Sequence, residues 1–556
     1  MLLVDIKERL ESSGNGQMLD RIGEVTAEML LSVANVRHQY GLYGECREIR
    51  EELAYDREDM ARYLNAAING EGPEQNGKFT PSQQNAFKAI SDAILGKSQQ
   101  KQFYIDARGG TGKTFLLNRL LYMTRLIDND AIAIAVAFTG IAAQLLKGGR
   151  TFNSRFKFPF KPSSKATCNI LKQSGLAKMI RKAKAIVWDE APMSNRVLLE
   201  ALDRTLQDLM NNKLPFGGKV IILAGDFRQL PTIIPGASRA QIVGASFKKS
   251  YLWENFKVMQ LKENMRIKTH GTSNKLAEFD KWLENLGNGE LETIEGSESD
   301  IILPQHLCSQ IDEDNKKAAQ DQAIQFTFGD ITTRSALPEW RDFVSKRAIL
   351  ATTNEYVDEI NHLCLQEMPG SEIVLASADE AANPDDANQY AVEFINTLKD
   401  NGIPPHRLVL KNNAVVMLLR NLNISGGLCN GTRLIVDDVI NGRLIKATIA
   451  TGECVGKTVL IPKILMRPAD DNQFGFEWTR LQFPIRLAYA ITVHKSQGQT
   501  LEKVAVWLQE YCFRHGQLYV AASRVGNPDN IKFYVKKLDG HQDYTTRNIV
   551  YHELLQ

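Results

Sequence analysis

Nine residues, Asp106-Ala-Arg-Gly-Gly-Thr-Gly-Lys-Thr114, decide the fold of this chain. The apolar run at 102–105 before them is typical of a strand, and residues 115–121 after them have the apolar spacing of a helix. Glycines in such a turn let backbone N–H groups approach phosphate oxygens, and the helix N-terminus adds partial positive charge. The order of strand, glycine-rich loop and helix therefore predicts a Walker A phosphate site. Ala107 stands where the pattern usually has its first glycine, and its small side chain weakens the match without refuting it.

The residues at the end of this loop carry the chemistry that a bound nucleotide needs. We expect the Lys113 ammonium to reach the β- and γ-phosphates and the Thr114 hydroxyl to coordinate Mg²⁺. The residues that we predict to bind the phosphates are Gly109, Gly110, Thr111, Gly112, Lys113 and Thr114.

The bulk composition limits the class of protein. A chain of 556 residues is too long for one core and predicts roughly three or four domains. Its apolar content of 43% and charged content of 24% are typical of a globular protein. No apolar run reaches the roughly 18 residues of a membrane span, and the acidic residues near Met1 argue against a secretory signal. Seven cysteines without a Cys-x-x-Cys pair predict reduced thiols and no zinc module. The net charge of +2 argues neither for nor against a nucleic-acid partner.

Alternating apolar runs and helical patterns predict an α/β fold with parallel sheets. The first series has predicted strands at 103–105, 131–138, 185–188 and 220–224. A second series begins near Phe256, includes 347–352 and resumes at 485–492, 504–508 and 531–535. Residues 406–484 hold short β-rich runs with Asn-Gly, Gly-Gly and Thr-Gly turns, which predict a small inserted antiparallel barrel. The acidic stretches 288–300 and 379–390 are predicted surface loops. Residues 1–75 are predicted to be helical, and a cap on the rest is favoured over a partner-binding module.

Two carboxylates end the third predicted strand, in Ala185-Ile-Val-Trp-Asp-Glu-Ala-Pro-Met193. Asp189 can hold Mg²⁺ through water, and Glu190 can polarise the water that attacks a phosphate. An Asp-Glu pair is also a common solvated strand end. Its place after a Walker A loop favours the catalytic interpretation.

Three further side chains fit the chemistry of phosphate release. Gln229, after the strand in Val220-Ile-Ile-Leu-Ala-Gly-Asp-Phe-Arg-Gln-Leu-Pro231, can hydrogen-bond a γ-phosphate and lose that bond once the phosphate leaves. Arg266 and Arg524 lie in the second series, and a planar, always charged guanidinium suits the charge that builds on a transferring phosphoryl group. If both arginines reach the nucleotide, it is held between two domains.

Eight motifs in order resemble the PIF family of superfamily-one DNA helicases, over roughly residues 76–556. They are Phe79-Thr-Pro-Ser-Gln83, the Gly-Gly-Thr-Gly-Lys-Thr loop, Phe138-Thr-Gly-Ile-Ala-Ala143, Asp189-Glu190, Gly225-Asp-Phe-Arg-Gln229, Asn264-Met-Arg266, Ala490-Ile-Thr-Val-His-Lys-Ser-Gln-Gly498 and Tyr519-Val-Ala-Ala-Ser-Arg524.

Longer stretches resemble the helicase part of Helitron rolling-circle transposases and their PIF-like relatives. They are Val187-Trp-Asp-Glu-Ala-Pro-Met193, Ser250-Tyr-Leu-Trp253, Pro404-Pro-His-Arg-Leu408 and Leu428-Cys-Asn-Gly-Thr-Arg-Leu434. None of the nine histidines has the His-hydrophobic-His spacing of the Helitron nuclease. The chain is thus either a helicase fragment of such a protein or a free-standing PIF-like helicase.

The resemblance implies a domain plan. It is an N-terminal helical segment at 1–75, a first RecA-like domain at 76–236 with a wedge insert at about 152–180, a second RecA-like domain at 237–405 and 485–556, and the barrel at 406–484.

The resemblance also implies roles at the ATP site. Gln83 would read the adenine edge, with Gln84 as the alternative if the register slips by one. The implied catalytic set is Lys113, Glu190, Gln229, Arg266 and Arg524, with Mg²⁺ held by Thr114 and Asp189.

The family moves 5′ to 3′ along single-stranded DNA and acts at junctions with duplex, as a monomer or self-associating transiently on DNA, and its eukaryotic members imply a nuclear location. Matching motifs imply DNA contacts from Thr139, Gly140, Phe152, Ser154, His494, Lys495, Ser496 and Thr500. The stretch Arg155-Phe-Lys-Phe-Pro-Phe-Lys161, with Phe156 and Phe158, interleaves cations and rings and corresponds in position to the family's wedge. A β-hairpin packed by its own phenylalanines explains that stretch equally well.

Two other functions share the motifs. A translocase that strips proteins from single strands would differ only in the wedge. A targeting or scaffold module whose ATP site only clamps DNA would not need the catalytic residues Lys113 and Glu190 or the two arginines. RNA stays open as a substrate, because phosphate tracking barely distinguishes the sugars.

Overall fold

The computed structural model describes residues 47–69, 78–159, 163, 165–265, 274–383, 389–400, 402–424, 426–452, 454–468, 475–537 and 542–556. Most of the predicted N-terminal segment, 1–46, lies outside these ranges, as does Arg266. None of the helices in the described ranges combines the length and the hydropathy of a membrane span.

The first sheet surrounds the Walker A loop. Its strands are β1 Gln102–Ala107, β2 Ala133–Ala137, β3 Arg150–Thr151, β4 Ala185–Asp189, β5 Val220–Gly225 and β6 Lys257–Leu261. They are all parallel, in the order β3-β2-β4-β5-β1-β6. The strands β2, β4 and β5 are buried along their length, which is why they stand out as continuous apolar runs. The four strands predicted in the first series are confirmed.

The predicted start of the second series near Phe256 is wrong. The strand β6 pairs with β1 and so completes the first sheet. Phe247, Leu252 and Phe256 pack into the core of the same sheet. The strand β6 is a half-exposed edge, so its sequence shows no continuous apolar run that would assign it to either series. The first unit therefore extends beyond residue 236, to the end of β6.

Helices flank this sheet on both faces. They are α3 Pro81–Ile94, α4 Lys113–Leu126, α5 Gly140–Gln144, α6 Phe152–Phe156, α7 Gly175–Lys182, α8 Arg196–Met210 and α9 Arg239–Gly244. The helix α3 begins with a capping box, in which Thr80 and Gln83 satisfy each other's backbone N–H groups. The helix α6 includes residues 155 and 156, the start of the stretch 155–161 for which a hairpin is the alternative.

The helices α1 Arg47–Leu53 and α2 Arg57–Asn69 precede the first sheet. Ile49 of α1 lies in the same core as Trp188 of β4. The buried Glu52 carboxylate pairs with Arg125 Nη2 at 3.3 Å and with Arg155 Nη2 at 2.6 Å. The described part of the N-terminal segment is thus helical, as predicted, and packs into the first unit.

The second sheet is also parallel. Its strands are β8 Cys308–Ile311, β9 Arg347–Ala351, β20 Ala490–Thr492, β21 Lys503–Leu508 and β22 Ile531–Lys536, in the order β20-β9-β21-β22-β8. The helices around it are α10 Asn274–Asn288, α11 Lys316–Phe328, α12 Ile331–Arg334, α13 Trp340–Ser345, α14 Asn354–Glu367, α16 Val493–Ser496, α17 Gln517–Ala522 and α18 His552–Leu555. A short antiparallel pair, β7 Asp300–Ile302 and β23 Thr545–Arg547, lies beside them.

The inserted region is antiparallel, as predicted. Its main sheet consists of β13 Val415–Leu418, β14 Arg433–Ile440, β15 Leu444–Ile449, β16 Thr458–Pro462 and β19 Ile485–Leu487. The order is β16-β15-β14-β13-β19, and the described pairings do not join β16 to β19. Asn441 and Gly442 both have positive φ in the turn between β14 and β15, as the Asn-Gly signal predicts.

The inserted region is larger than the predicted 406–484. Two strands that precede it, β10 Ile373–Ala376 and β11 Ala378–Ala381, pair with strands inside it, namely β12 Arg407–Leu410 and β18 Trp478–Gln482. The strand β17 Ile464–Met466 and the helix α15 Val392–Thr397 complete this part. Asp379 is a buried member of β11 rather than part of a surface loop, because Arg480 Nη2 pairs with it at 2.6 Å.

Candidate active site

The Walker A loop runs between β1 and α4, as the sequence predicts. Gly110 and Gly112 have φ of 90° and 77°, in the left-handed region. A Cβ atom at residue 112 would lie 2.4 Å from Gln83 Nε2, so only glycine fits there. The loop also contacts the segment before Arg266, because the Met265 N–H donates to the Gly110 carbonyl at 2.9 Å.

Lys113 lies between the two predicted carboxylates. Its Nζ is 2.8 Å from Asp189 Oδ1 and 2.6 Å from Glu190 Oε1. Burial lowers the pKa of Lys113, but the two carboxylates outweigh it and the pKa is raised. The ammonium therefore stays charged and holds both carboxylates at the mouth of the phosphate loop.

Glu190 follows directly after β4 with φ of 52°, a conformation that few non-glycine residues adopt. Its backbone N–H donates to Asp189 Oδ1 at 2.8 Å, which fixes the Asp189 carboxylate against the Glu190 backbone. Burial raises the pKa of Glu190, while Lys113 and, more weakly, Arg524 lower it. A carboxylate with a raised pKa beside a cation is suited to accept a proton from water.

Gln229 has the one amide oxygen of this cluster that is buried without a hydrogen-bond partner among the described residues. Its backbone N–H donates to the Asp226 carbonyl at 3.2 Å, so the loop that carries it is ordered. An unsatisfied buried amide costs stability unless a ligand or water satisfies it. The amide suits the phosphate sensor that the sequence predicts.

Arg524 reaches the site from the second sheet. It is buried directly after α17, and its guanidinium donates to the carbonyls of Ser496 at 3.3 Å, Gln499 at 2.9 Å and Val520 at 2.7 Å. The segment that carries it lies beside the phosphate loop, because a Cβ atom at residue 109 would be 3.8 Å from the Ser523 carbonyl oxygen. The other predicted arginine, Arg266, lies outside the described residues.

Gln83, the predicted adenine contact, is engaged within the protein. The buried Gln83 side chain donates from Nε2 to the Thr111 carbonyl at 2.9 Å and accepts at Oε1 from the Thr80 N–H at 3.0 Å. Both ends of the amide are thus used to tie α3 to the phosphate loop. Gln84, the alternative, is exposed.

The donor set that the sequence predicts for Mg²⁺ is a hydroxyl, from Thr114, and a carboxylate, from Asp189. No cluster of three or more histidine, cysteine or acidic side chains fit to hold a metal occurs in the described ranges. Lys113 Nζ, at 2.8 Å from Asp189, shows that the carboxylate accommodates a cation.

The structure corrects the DNA contacts predicted for Phe152 and Phe156. Both rings are buried, and Phe152 stacks on Trp188 with ring centroids 4.1 Å apart. Phe158 is half-buried against the same core, and Ser154 is half-buried on α6. The rings face inward because α6 is amphipathic, which a motif match does not reveal.

Thr139 caps α5 by accepting from the Ala142 N–H at 3.2 Å and stays half-exposed. The inserted region covers Gly140 instead, since a Cβ there would lie 2.7 Å from Cys429 Cβ. Gln144 Nε2 also donates to Cys429 Sγ at 3.0 Å. The prediction that Gly140 contacts DNA is therefore not met in this conformation.

The predicted DNA contacts at 494–500 also include both buried and accessible side chains. Ser496 is buried, donates to the Val493 carbonyl and supports Arg524, so its predicted DNA contact is corrected. Thr500 is exposed, and His494 and Lys495 are half-buried. Burial lowers the pKa of His494 to about 4 and that of Lys495 to about 8. His494 Nε2 has no hydrogen-bond partner among the described residues.

Four side chains near the site are missing from the predicted set: Asp226, Arg228, His515 and Tyr519. Asp226 Oδ2 accepts from the Tyr519 hydroxyl at 2.9 Å, and Arg228 Nη1 donates to Asp226 Oδ1 at 2.9 Å. Asp226 and Arg228 lie in the motif that ends at Gln229, and Tyr519 lies in the motif that ends at Arg524. Neither motif alone shows that the two motifs contact each other in the fold.

Two family models match the chain. One described as PIF1-like helicase matches residues 78–297, and one described as DNA helicase Pif1, 2B domain, matches residues 393–439. The first spans the Walker A unit and the second falls in the inserted region.

Curated relatives carry the same name. The ATP-dependent DNA helicase Pif1 of Psychrobacter sp. (strain PRwf-1) is 24% identical over 479 residues, which are 78% of this chain and 65% of the relative. The ATP-dependent DNA helicase PIF1 of Xenopus laevis is 27% identical over 436 residues, 78% of this chain and 58% of the relative. The chain thus spans less than two thirds of the length of either.

Solved structures share the fold. The Pif1 helicase from Candida albicans aligns with a TM-score of 0.58 at 23% sequence identity. The alignment covers 86% of this chain and 97% of the Candida albicans chain. The Bacteroides Pif1 helicase in complex with ADP-AlF3 and ssDNA has a TM-score of 0.55 at 22% identity, covering 82% and 92%. Two parallel sheets with an antiparallel insert, two matching family models and the named relatives agree with one another. Over residues 78–297 and 393–439 the chain therefore resembles the PIF1-like helicases.

Proposed function

We propose that this protein is an ATP-dependent DNA helicase that moves 5′ to 3′ on single-stranded DNA and unwinds duplex. The observation that carries the proposal is the contact of Lys113 with Asp189 and Glu190, close to which Ser523, the residue before Arg524, packs against Gly109 of the phosphate loop. Such a cleft can close on ATP and reopen after hydrolysis.

Each residue of the cluster has a role in hydrolysis. Phosphate oxygens draw the Lys113 ammonium away from Glu190, which frees that carboxylate for water. The water oxygen attacks the γ-phosphorus, its proton passes to Glu190, and the bond to the β–γ bridging oxygen breaks as ADP forms. Arg524 and Lys113 stabilise the charge on the transferring group, and Gln229 senses its departure. Thr114 and Asp189 would hold Mg²⁺, which when bound would neutralise charge on the β- and γ-phosphates.

The partners are single-stranded DNA and its junctions with duplex. Solved relatives are described as bound to ssDNA and as acting at forked dsDNA. We place the exposed or half-exposed Thr139, Ser154, His494, Lys495 and Thr500 along the strand. The domain plan with two RecA-like units, action as a monomer or transient self-associate, and a nuclear location are part of this proposal. A link to Helitron proteins stays a prediction from sequence.

The test is strand separation with Mg²⁺–ATP on two duplexes that differ only in carrying a 5′ or a 3′ single-stranded tail. Unwinding of the 5′-tailed duplex alone is expected. Unwinding of the 3′-tailed duplex alone would overturn the polarity, and the absence of ATP turnover with either would overturn the enzyme assignment. The same strand-separation assay on a duplex with an RNA tail tests whether the protein accepts ribose in place of deoxyribose.

The burial of Phe152 and Phe156 favours one second candidate, a translocase that displaces proteins without efficient unwinding. In the predicted wedge stretch 155–161, Phe158 is the ring that keeps a partly exposed face among the described residues. Phe158→Ala should abolish unwinding and spare ATP turnover if this ring separates strands. Phe394→Ala, which removes an exposed ring from α15, is the control. ATP turnover stimulated by single strands without any unwinding by the unaltered protein would establish the translocase.

A further inference from the structure

The loop after β5 contacts the second sheet's helix α17 through side chains that no predicted role includes. Asp226, Arg228, His515 and Tyr519 form what we term the cross-cleft network. Its centre is the Asp226 carboxylate, which is fully buried. One oxygen accepts from the Tyr519 hydroxyl at 2.9 Å and the other from Arg228 Nη1 at 2.9 Å.

We propose that Tyr519 is a positioning residue that makes the Gln229 loop and the Arg524 helix move as one unit. The proposal rests on the proposed function. Tyr519 lies on α17, and Arg524 follows directly after that helix. Asp226 accepts the Gln229 backbone N–H at its carbonyl, at 3.2 Å. A change at Gln229 when phosphate leaves is therefore passed through Asp226 and Tyr519 to the helix beside Arg524.

The hydrogen bond between Tyr519 and Asp226 is shielded from water in this structure. Tyr519 and Asp226 are both buried, so water does not compete for the bond. Burial, followed by the nearby Asp226 charge, raises the pKa of Tyr519 well above its usual value. The hydroxyl therefore stays protonated and remains a donor to the carboxylate.

His515 adds a second connection to the same loop. Its Nδ1 accepts from the Tyr551 N–H at 2.8 Å, so the proton lies on Nε2, which donates to the Phe227 carbonyl at 2.8 Å. Arg228 extends the network further, because its Nε donates to Asn288 Oδ1 of α10 at 2.8 Å. The loop is thus held from α10, from α17 and from the segment before α17.

The test compares Tyr519→Phe with Tyr104→Phe in the full chain. Tyr104 is also buried, and its ring lies 5.1 Å from that of Phe227, but its hydroxyl has no hydrogen-bond partner among the described residues. The two variants therefore remove the same atom from the same neighbourhood, and only one breaks the network. The measurements are kcat and KM for ATP with single-stranded DNA, base pairs unwound per ATP, and Tm.

We expect Tyr519→Phe to keep kcat for ATP within about threefold and to lower base pairs unwound per ATP by about tenfold, the scale of one buried bond to a charged group. Tyr104→Phe should match the unaltered protein in both. Equal losses of turnover and unwinding in Tyr519→Phe, or no loss of either, would overturn the inference. If the unaltered protein unwinds nothing, the proposed function fails instead.

A double-mutant cycle with Asp226→Asn separates positioning from general damage. If Tyr519 acts through Asp226, the double variant should lose no more unwinding per ATP than the more damaged single variant. Losses that multiply would show independent effects and contradict the connection. Because Asp226→Asn keeps the size of the side chain, the cycle remains informative if Tyr519→Phe lowers Tm.

Discussion

Glu190 owes its position to a left-handed backbone conformation at the end of β4, which turns its carboxylate to Lys113 Nζ at 2.6 Å. We predict that Glu190→Gln binds ATP and DNA but loses turnover by about 10³ or more, which corresponds to about 4 kcal/mol of transition-state stabilisation. Single-turnover hydrolysis and nucleotide titration measure the two effects separately. Glu200→Gln, on α8, is the matched control, and normal turnover in Glu190→Gln would remove the general-base role.

Phe156 carries a second prediction at this scale, because its ring is completely buried. Phe156→Ala should lower the free energy of unfolding by about 3–5 kcal/mol, the usual cost of deleting a buried aromatic ring. Phe158→Ala should cost clearly less, since its ring is half-buried. Urea unfolding of both variants tests this. An equal, small effect would show that α6 is not part of the core.

Sequence reasoning worked best for residues whose chemistry lies in a local motif. Lys113, Asp189 and Glu190 meet because the loops after neighbouring parallel strands lie at one edge of a sheet. The stretch from Arg155 misled because Arg155 pairs with Glu52, which is 103 residues away along the chain. No local pattern distinguishes a cation that faces DNA from one that faces a buried carboxylate.

At the scale of elements, α1 supplies a carboxylate on which two buried arginines depend. Glu52→Gln should destabilise the protein by about 3–5 kcal/mol, because Arg125 and Arg155 lose their compensating charge. Glu51→Gln alters the neighbouring, more exposed pair with Arg150 and should cost about 1 kcal/mol or less. Denaturant unfolding of the two variants side by side measures the difference. Equal losses would contradict the buried role of Glu52.

The strands that could be predicted are those with uninterrupted apolar runs, such as β2, β4 and β5. Two of the strands that the sequence did not predict, β6 and β11, were missed for different reasons. The edge strand β6 has too few apolar residues to be recognised as a strand. The acidic residues of β11 are typical of a surface loop, but Asp379 is buried because Arg480, on the distant strand β18, neutralises it. The apolar periodicity of a sequence indicates which residues are buried. It does not indicate which strands pair or whether a distant residue neutralises a buried charge.

At the scale of the whole molecule, buried histidines make stability depend on pH. Burial lowers the pKa of His494 and of His515 to about 4, from 6.5 in the unfolded chain. Between those values the unfolded chain binds more protons, so the free energy of unfolding should fall as the pH falls from about 6.5 to 4. Urea unfolding at pH 7, 6 and 5 measures the slope. His515→Gln should flatten it, and a stability that rises on acidification would contradict the assignment.

The contacts between the two sheets could not be predicted from sequence. Asp226 and Tyr519 are 293 residues apart along the chain, and each looks complete within its own motif. The inserted region's cover over Gly140 is equally invisible, because it depends on how two separately predicted units meet. Motifs identify the parts of this site, and only the assembled fold shows which parts restrain one another.

The family match begins at residue 78, but the folding unit begins earlier. A gene cut at the edge of the matched region would encode a protein without α1 and α2. Such a product would bury Arg125 and Arg155 without Glu52, and would leave open the surface that Ile49 covers. For recombinant expression, the upstream boundary therefore belongs no later than residue 47, and failure of a shorter version would say nothing about the enzyme itself.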